Sequence, residues 1–177
     1  LRDFCVDCES HRIHLSFSAM RPALKTHFPL RKSRVHEVCG PDAMTFAAIA
    51  AMQAQGSVFW AREGWRADAL NPAGIAPFLE PSRLLLAQTK SQADSLAAAE
   101  EALKDGVIPF AVIEVTAPLD LREGRRLQLA AKAGGTTGLC IIPEGMGSNA
   151  AETRWRATPI WAGDGLDSTL MRWEIIK

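Results

Sequence analysis

The chain has 177 residues, with 20 Lys and Arg against 20 Asp and Glu, and 47% of its residues are hydrophobic. These values are typical of one ordinary globular domain with a substantial core. The balanced charge argues against a protein that coats nucleic acid through bulk electrostatics, although a local basic patch is compatible with it. No apolar run approaches the roughly 18 residues of a membrane helix, and the first ten residues lack the layout of a secretory signal. We therefore expect a cytoplasmic protein with no membrane partner.

A basic N-terminal arm, residues 1–34, is predicted to precede a core domain, residues 35–177. The arm contains a Cys-x2-Cys-x2-His-x2-His series, formed by Cys5, Cys8, His11 and His14. On a helix these side chains would spread over half the cylinder and could not surround one tetrahedral ion. Zinc fingers instead place about a dozen residues between the Cys pair and the His pair. The spacing favours a polar arm without a metal, and a structural zinc site is the alternative.

Short apolar runs rich in β-formers alternate with helix-patterned segments from Val35 onward. This order predicts a three-layer α/β domain with a mainly parallel sheet. The predicted strands are residues 35–38, 57–61, 84–88, 110–115 and 138–142. The predicted helices are residues 45–55, 72–79, 92–105 and 120–133, with Asn71, Ser91 and Asp120 as expected N-caps.

The last 40 residues change character. A Gly-rich segment over 144–149 predicts a mobile loop without an aliphatic anchor. It is followed by TRWRATPIWA and MRWEIIK, two alternating stretches separated by turn residues, which predict an antiparallel hairpin. We expect Trp155 and Trp173 to share its buried face, with Arg154, Arg156 and Arg172 pointing away.

The segment VHEVCGPDAMTFAAIAA has the layout of a phosphate-binding unit: a strand, a Gly-Pro turn and an Ala-rich helix. Phosphate binding needs a long glycine-rich loop and a Lys. Only Gly40 to Thr45 separate strand from helix here, and no Lys lies between Lys32 and Lys90. Asp42 is expected at the helix N-terminus, where its carboxylate would satisfy free N–H groups and repel a phosphate. The sequence thus predicts a capped turn, with no ATPase activity, no catalytic residue and no cofactor.

The chain resembles the ImuA family, RecA-like proteins of bacterial SOS mutagenesis related to the SulA-like superfamily. The resemblance runs from about His14 to Lys177 and is carried by HEVCGPDA, RLLLAQ, AAEEALKDG, FAVIEV, RRLQLAAKAGGTTGL and TRWRATP. It implies a RecA-like core in which Gly40 and Pro41 match the start of a phosphate loop whose Gly-Lys-Thr portion is missing. The implied degenerate nucleotide site contains Gly40, Pro41, Asp42, Thr45, Glu63 and Glu114.

Two of these acids would have catalytic counterparts in an active relative. By resemblance, Glu114 falls where RecA-like ATPases keep the acid that organises Mg²⁺, and Glu63 falls near their catalytic glutamate. Without the lysine loop, neither acid has a nucleotide to act on. The residues themselves favour a structural role for both, as strand-end acids paired with a neighbouring Arg.

Contact residues for DNA or a partner are suggested by resemblance and by charge. The segment PEGMGSNAAE matches a loop with which RecA contacts single-stranded DNA, but it carries two acids and no base. Few phosphates could therefore be neutralised there. Exposed indoles are candidate interface anchors. The candidate contacts are Arg122, Arg125, Arg126, Gly145, Gly147, Arg154, Arg156, Trp60 and Trp65.

The resemblance implies a non-catalytic adaptor in SOS-induced error-prone translesion synthesis. Such an adaptor would join an ImuB-type, Y-family-like protein to an error-prone DNA polymerase, with RecA as a further partner and weak binding to single-stranded DNA. Two alternatives stay open. One is a degenerate RecA-like ATPase that still binds nucleotide or DNA, and the other is a SulA-like inhibitor of cell division that acts on FtsZ.

Overall fold

The computed structural model describes residues 6–7, 14–15, 26–68, 70–160 and 171–177. Its strands are β1 (Val6–Asp7), β2 (His14–Leu15), β3 (Val35–Cys39), β4 (Val58–Glu63), β5 (Leu84–Thr89), β6 (Phe110–Glu114), β7 (Thr137–Ile141), β8 (Arg154–Pro159) and β9 (Met171–Ile175). Its helices are α1 (Ala43–Met52), α2 (Pro72–Ile75), α3 (Gln92–Asp105) and α4 (Leu121–Gly134). The prediction about the Cys/His series lies outside the described side chains, and the turn between the last two strands lies outside the described residues.

One sheet of seven strands organises the domain, in the order β5-β4-β6-β7-β3-β8-β9. All neighbours in it are parallel except β8 and β9, which are antiparallel with Ala157 opposite Trp173. The predicted mainly parallel sheet and its C-terminal antiparallel pair are confirmed. The strands β1 and β2 form a separate two-stranded antiparallel sheet.

The helices lie on both faces of the sheet and bury two apolar layers. On one face, α1 is buried along most of its length, and its many alanines allow close approach to the strands. On the other face, α3 and α4 pack against a second layer that includes Leu103, Leu127 and Ile113.

The predicted helix 45–55 begins two residues earlier than expected, and the predicted helix 72–79 is regular only to Ile75. The N-caps Asn71, Ser91 and Asp120 are confirmed, the last as a full capping box with Glu123.

Four aromatic rings fix the position of the C-terminal strand pair. Phe28, Phe46, Trp155 and Trp173 contact one another with ring centroids 4.7 to 6.2 Å apart, mostly edge to face. The predicted shared buried face of Trp155 and Trp173 is confirmed. Phe28 comes from the predicted arm and is itself buried. The division of the chain at residue 34 into an arm and a core domain stays a prediction.

A buried histidine in β3 links this cluster to the segment that precedes β3. His36 is fully buried, with Nδ1 2.7 Å from Thr153 Oγ1 and Nε2 3.0 Å from the Arg31 carbonyl oxygen. The Trp155 indole N–H donates to the same Thr153 hydroxyl at 2.8 Å. A neutral ring suits these partners, because Nε2 donates to the carbonyl and Nδ1 accepts from the hydroxyl. Burial lowers the pKa of His36, and the bond to the Arg31 carbonyl opposes this only in part.

This geometry predicts an acid-sensitive fold. Below about pH 6.5 the unfolded chain binds a proton at this histidine that the folded chain does not. The free energy of unfolding should fall as the pH drops from there towards the lower pKa of the folded state, by up to about 1.4 kcal/mol per pH unit. Urea unfolding at pH 7.5, 6.5 and 5.5 measures the free energy of unfolding. A His36→Asn variant should lose most of the pH dependence of this free energy between pH 7.5 and 5.5. An unchanged slope in the variant would contradict the assignment.

Candidate functional site

The turn from β3 to α1 is where a RecA-like ATPase would hold phosphate. It has three residues, Gly40, Pro41 and Asp42. Gly40 has a φ of +99°, and a Cβ at this position would overlap the carbonyl oxygen of Ala157 in β8. That same oxygen accepts the Asp42 N–H at 3.2 Å. A backbone carbonyl of the chain therefore satisfies a donor at the helix start that would otherwise face an anion.

Asp42 precedes α1 as predicted, but its carboxylate forms no capping hydrogen bond. The prediction that the side chain satisfies the helix N-terminus was wrong. Its backbone, at φ −100° and ψ 18°, is not in the extended conformation that directs a capping oxygen at the N–H groups. Partial burial raises the pKa of Asp42, which accords with a carboxylate that has no such donor.

A pocket of about 300 Å³ lies beside this turn, between α1 and α2. Thr45, the residue expected in place of a Mg²⁺-binding hydroxyl, contributes to its wall. Most of the wall is apolar, and its one charged residue is Asp68; among the described residues no Lys or Arg lines it. The described wall of the pocket therefore offers no cation to a phosphate group.

Glu114, at the end of β6, is buried and already paired. Its Oε1 accepts the Trp60 indole N–H at 2.8 Å. Its Oε2 lies 3.2 Å from Arg66 Nη1 and 3.7 Å from Arg62 Nε, as an ion pair without hydrogen-bond geometry. Both arginines also contact Asp68. Two guanidinium groups thus stand beside Glu114, the acid that would organise a metal in an active relative. The predicted pairing of this strand-end acid with a neighbouring Arg is present.

Glu63 and Glu114 lie on opposite faces of the sheet. Because Trp60 and Glu114 are hydrogen-bonded on one face of the sheet, strand alternation places Glu63 on the opposite face. Glu63 accepts a hydrogen bond from the Thr116 hydroxyl. That bond, and a second from the Trp65 indole, hold the pKa of Glu63 below its usual range. An acid held ionised in this way is a weak base, so the two candidate acids form no catalytic pair.

The Gly-rich loop before β8 is held by buried polar contacts, whereas the sequence predicts a mobile loop. Its Ser148 is 2% exposed, and the Ser148 N–H donates to Glu37 Oε1 at 2.7 Å. Arg154 donates to Glu37 Oε2 at 2.6 Å and to the Ser148 carbonyl at 2.8 Å. Gly147 packs on the Arg154 guanidinium, where a Cβ would overlap it, whereas Gly145 has open space around it. One buried carboxylate therefore ties the loop to two strands.

Four of the predicted contact residues are already engaged within the protein, three in ion pairs and one by burial. Arg154 is paired with Glu37, Arg156 with Glu144 and Arg126 with Glu100. Trp60 is fully buried in β4, so its prediction as a surface contact is wrong. Trp60 lies on the face of β4 that packs against α1, so its indole is covered.

Three predicted contact side chains are exposed and form no ion pair with the described residues. Trp65 is 68% exposed at the turn after β4, while Arg122 and Arg125 are exposed on α4. No helix in the described ranges is long and apolar enough to cross a membrane. These three side chains thus lie on two separate elements, a turn and a helix.

Sequence reasoning missed the residues that fill the site. Arg62, Arg66 and Glu37 were not among the predicted site residues. The signal for Arg62 and Glu37 is a charged residue inside an apolar strand, as in VFWARE and VHEVC, which requires a buried partner of opposite charge. Arg66 follows β4 and carries no such signal. The Ala157 carbonyl has no such signal, because it belongs to the backbone.

Comparisons with known proteins agree with this architecture. No protein-family model matches the chain. Protein ImuA from two strains of Caulobacter vibrioides, NA1000 and ATCC 19089, is 30% identical over 79% of this chain and 67% of that protein. SulA from Pseudomonas aeruginosa has a TM-score of 0.51 at 24% identity, over 62% of this chain and 97% of that chain. The RadB recombinase has a TM-score of 0.58 at 13% identity, over 82% of this chain and 88% of that chain. The two structural similarities concern the fold, and they confirm the predicted RecA-like core.

Proposed function

This chain belongs to the ImuA family, and on that premise we propose that it is a non-catalytic, cytoplasmic adaptor in SOS-induced error-prone translesion DNA synthesis. Its partners would be an ImuB-type protein and an error-prone DNA polymerase, with RecA as a further partner. The observation that carries the proposal is the filled nucleotide position. In the turn before α1 the chain's own Ala157 carbonyl accepts the Asp42 N–H, and two arginines stand beside the acid that an ATPase would need free.

The remaining surface supports contact with proteins more than contact with DNA. Arg154 and Arg156 would have to leave Glu37 and Glu144 before they could reach phosphates. Trp65, by contrast, presents an indole that is 68% exposed. Exposed aromatic side chains are frequent anchors of protein interfaces.

We expect no saturable binding of ATP below about 1 mM in the presence of Mg²⁺, because neither a lysine nor an enveloping loop faces the helix start. A fluorescent ATP analogue measures this by anisotropy, with a RecA-type ATPase as the positive control. Saturable binding at low micromolar concentration would support the alternative of a degenerate but nucleotide-binding ATPase.

Co-purification separates the adaptor from the SulA-like alternative, which the similarity to the SulA fold favours. The tagged chain is co-expressed in turn with the ImuB-type protein, the error-prone polymerase and FtsZ of the same genome. We expect the ImuB-type protein to be retained at about 150 mM salt, since an interface anchored by apolar groups is screened weakly. Retention of FtsZ alone would overturn the proposal in favour of cell-division inhibition.

A further inference from the structure

The helix α4 has one face fixed against the domain. Gly124, Leu127, Ala130 and Ala131 are buried on the sheet side. A Cβ at Gly124 would overlap the Ser148 hydroxyl, so this turn of the helix lies directly on the loop before β8. Gln128 adds hydrogen bonds to both backbone groups of Val35, at 3.1 and 2.7 Å. The rotation of the helix about its axis is therefore set, and so is the face it presents outward.

That outer face combines aliphatic and basic side chains. The aliphatic side chains of Leu121 and Leu129 are exposed, with 46% and 67% of each residue accessible to solvent. At about 100° per residue, five exposed side chains fall within an arc of roughly 100°, and the two leucines lie about 12 Å apart along the axis. We call this set the α4 outer face: Leu121, Arg122, Arg125, Leu129 and Lys132.

All charged residues of the α4 outer face are basic. The face carries three cations and no acid. The single acid of the helix, Glu123, lies outside this face and is engaged in the capping box. Arg126, at the border of the face, is neutralised by Glu100. Within the described part of the chain, no ion pair involves Arg122, Arg125 or Lys132. A local excess of three positive charges thus remains on a chain whose net charge is zero.

We propose that the α4 outer face docks an acidic amphipathic helix of a partner protein. Leucines two turns apart would pack against apolar residues of that helix, and the three cations would meet the carboxylates beside them. The inference rests on the proposed function in that the partner is a protein. It adds the surface and the chemistry of the segment that binds there.

Exposed leucines distinguish this occupant from nucleic acid. A phosphate backbone gains from the cations but gains nothing from aliphatic side chains placed between them. A partner helix gains from both, since burial of each leucine removes apolar surface from water. The combination of leucines and basic residues on one face is therefore better matched by an acidic, apolar helix.

The test uses the full chain and a labelled 18-residue helical peptide with leucines on one stripe and glutamates flanking it. Fluorescence anisotropy should give a Kd below about 100 µM for the unmodified chain. Arg122→Glu with Arg125→Glu should weaken binding at least about tenfold, and Leu121→Ser with Leu129→Ser by about tenfold. The matched control is Lys90→Glu with Lys104→Glu, which makes the same change in net charge at other exposed positions and should leave Kd unchanged.

A charge-swapped peptide, with lysines in place of the glutamates, sharpens the test. It should not bind the unmodified chain and should gain affinity for the Arg122→Glu, Arg125→Glu variant. All substitutions are at exposed positions, so the melting temperature should change by no more than about 2 °C. Circular dichroism confirms that each variant is folded before binding is measured.

Three outcomes would overturn the inference. They are absence of binding to the Glu-Leu peptide, equal binding by the arginine variant and the lysine control, and insensitivity to the leucine substitutions. A 20-nucleotide oligo-dT serves as the comparison ligand. If it binds through the arginines while the peptide does not, the face is a nucleic-acid surface. Because the peptide assay needs no ImuB-type protein, failed co-purification would count against the proposed function without deciding this inference.

Discussion

Replacement of Glu37 by Gln is expected to lower the free energy of unfolding by about 3 kcal/mol. The carboxylate is 1% exposed and accepts from the Ser148 N–H and from Arg154. Gln keeps the shape of the side chain but removes the charge, so the Arg154 guanidinium, whose side chain is 19% exposed, loses its counter-ion. The melting temperature should fall by roughly 6 to 12 °C.

A double-mutant cycle with Arg154→Gln isolates this interaction. Because the two side chains are in direct contact, the double variant should be less destabilised than the sum of the single variants, by at least about 1 kcal/mol. Chemical unfolding of the four proteins measures the difference. Additive losses would show that the pair is not coupled and that the loop before β8 is held by other contacts.

Glu114→Gln is expected to cost about 2 to 3 kcal/mol while it leaves partner binding intact. Its carboxylate lies between Arg62, which is 3% exposed, and Arg66. Arg62 retains its contacts with Asp68, which limits the loss. Because the acid acts only within the domain, a folded variant should bind the ImuB-type protein with the affinity of the unmodified chain.

Urea unfolding and a binding titration, both at 15 °C to keep the variant folded, separate the two effects. Arg83→Ala is a suitable control. It removes an arginine whose hydrogen bonds join the 3-10 turn before β5 to the segment that follows α1, and it leaves Glu114 untouched. If Glu114→Gln abolished partner binding at unchanged stability, Glu114 would belong to the functional surface after all.

The architecture could be predicted because its signals are local. Apolar runs of five or six residues, alternating with capped helices, indicated a mainly parallel sheet, and the two-residue alternation around Trp155 and Trp173 indicated the hairpin. Both features depend on neighbours in the sequence. The absence of a lysine loop was equally visible, since it is a property of a few consecutive residues.

The contacts around the turn before α1 and around the acid at the end of β6 could not be predicted in the same way. The pairs formed by Glu37 with Arg154 and by Glu114 with Arg62 join residues far apart in the chain, and side-chain type alone does not choose among many possible partners. The Ala157 carbonyl depends on the register of β8 beside β3. Asp42 was misjudged because its backbone conformation, which decides whether the carboxylate can cap the helix, depends on that same neighbouring strand.

Affinity across a salt series tests most directly whether the chain acts through protein contacts. Anisotropy titrations compare the labelled ImuB-type protein with a labelled single-stranded oligonucleotide, from about 50 to 300 mM salt. We expect the protein complex to persist at about 150 mM, because apolar contacts are screened weakly. DNA binding should be weak, with a log–log slope of only about −1.4 to −2.1, as for two or three phosphate contacts on a single strand. Nanomolar DNA binding at physiological salt, with no protein complex retained, would contradict the account.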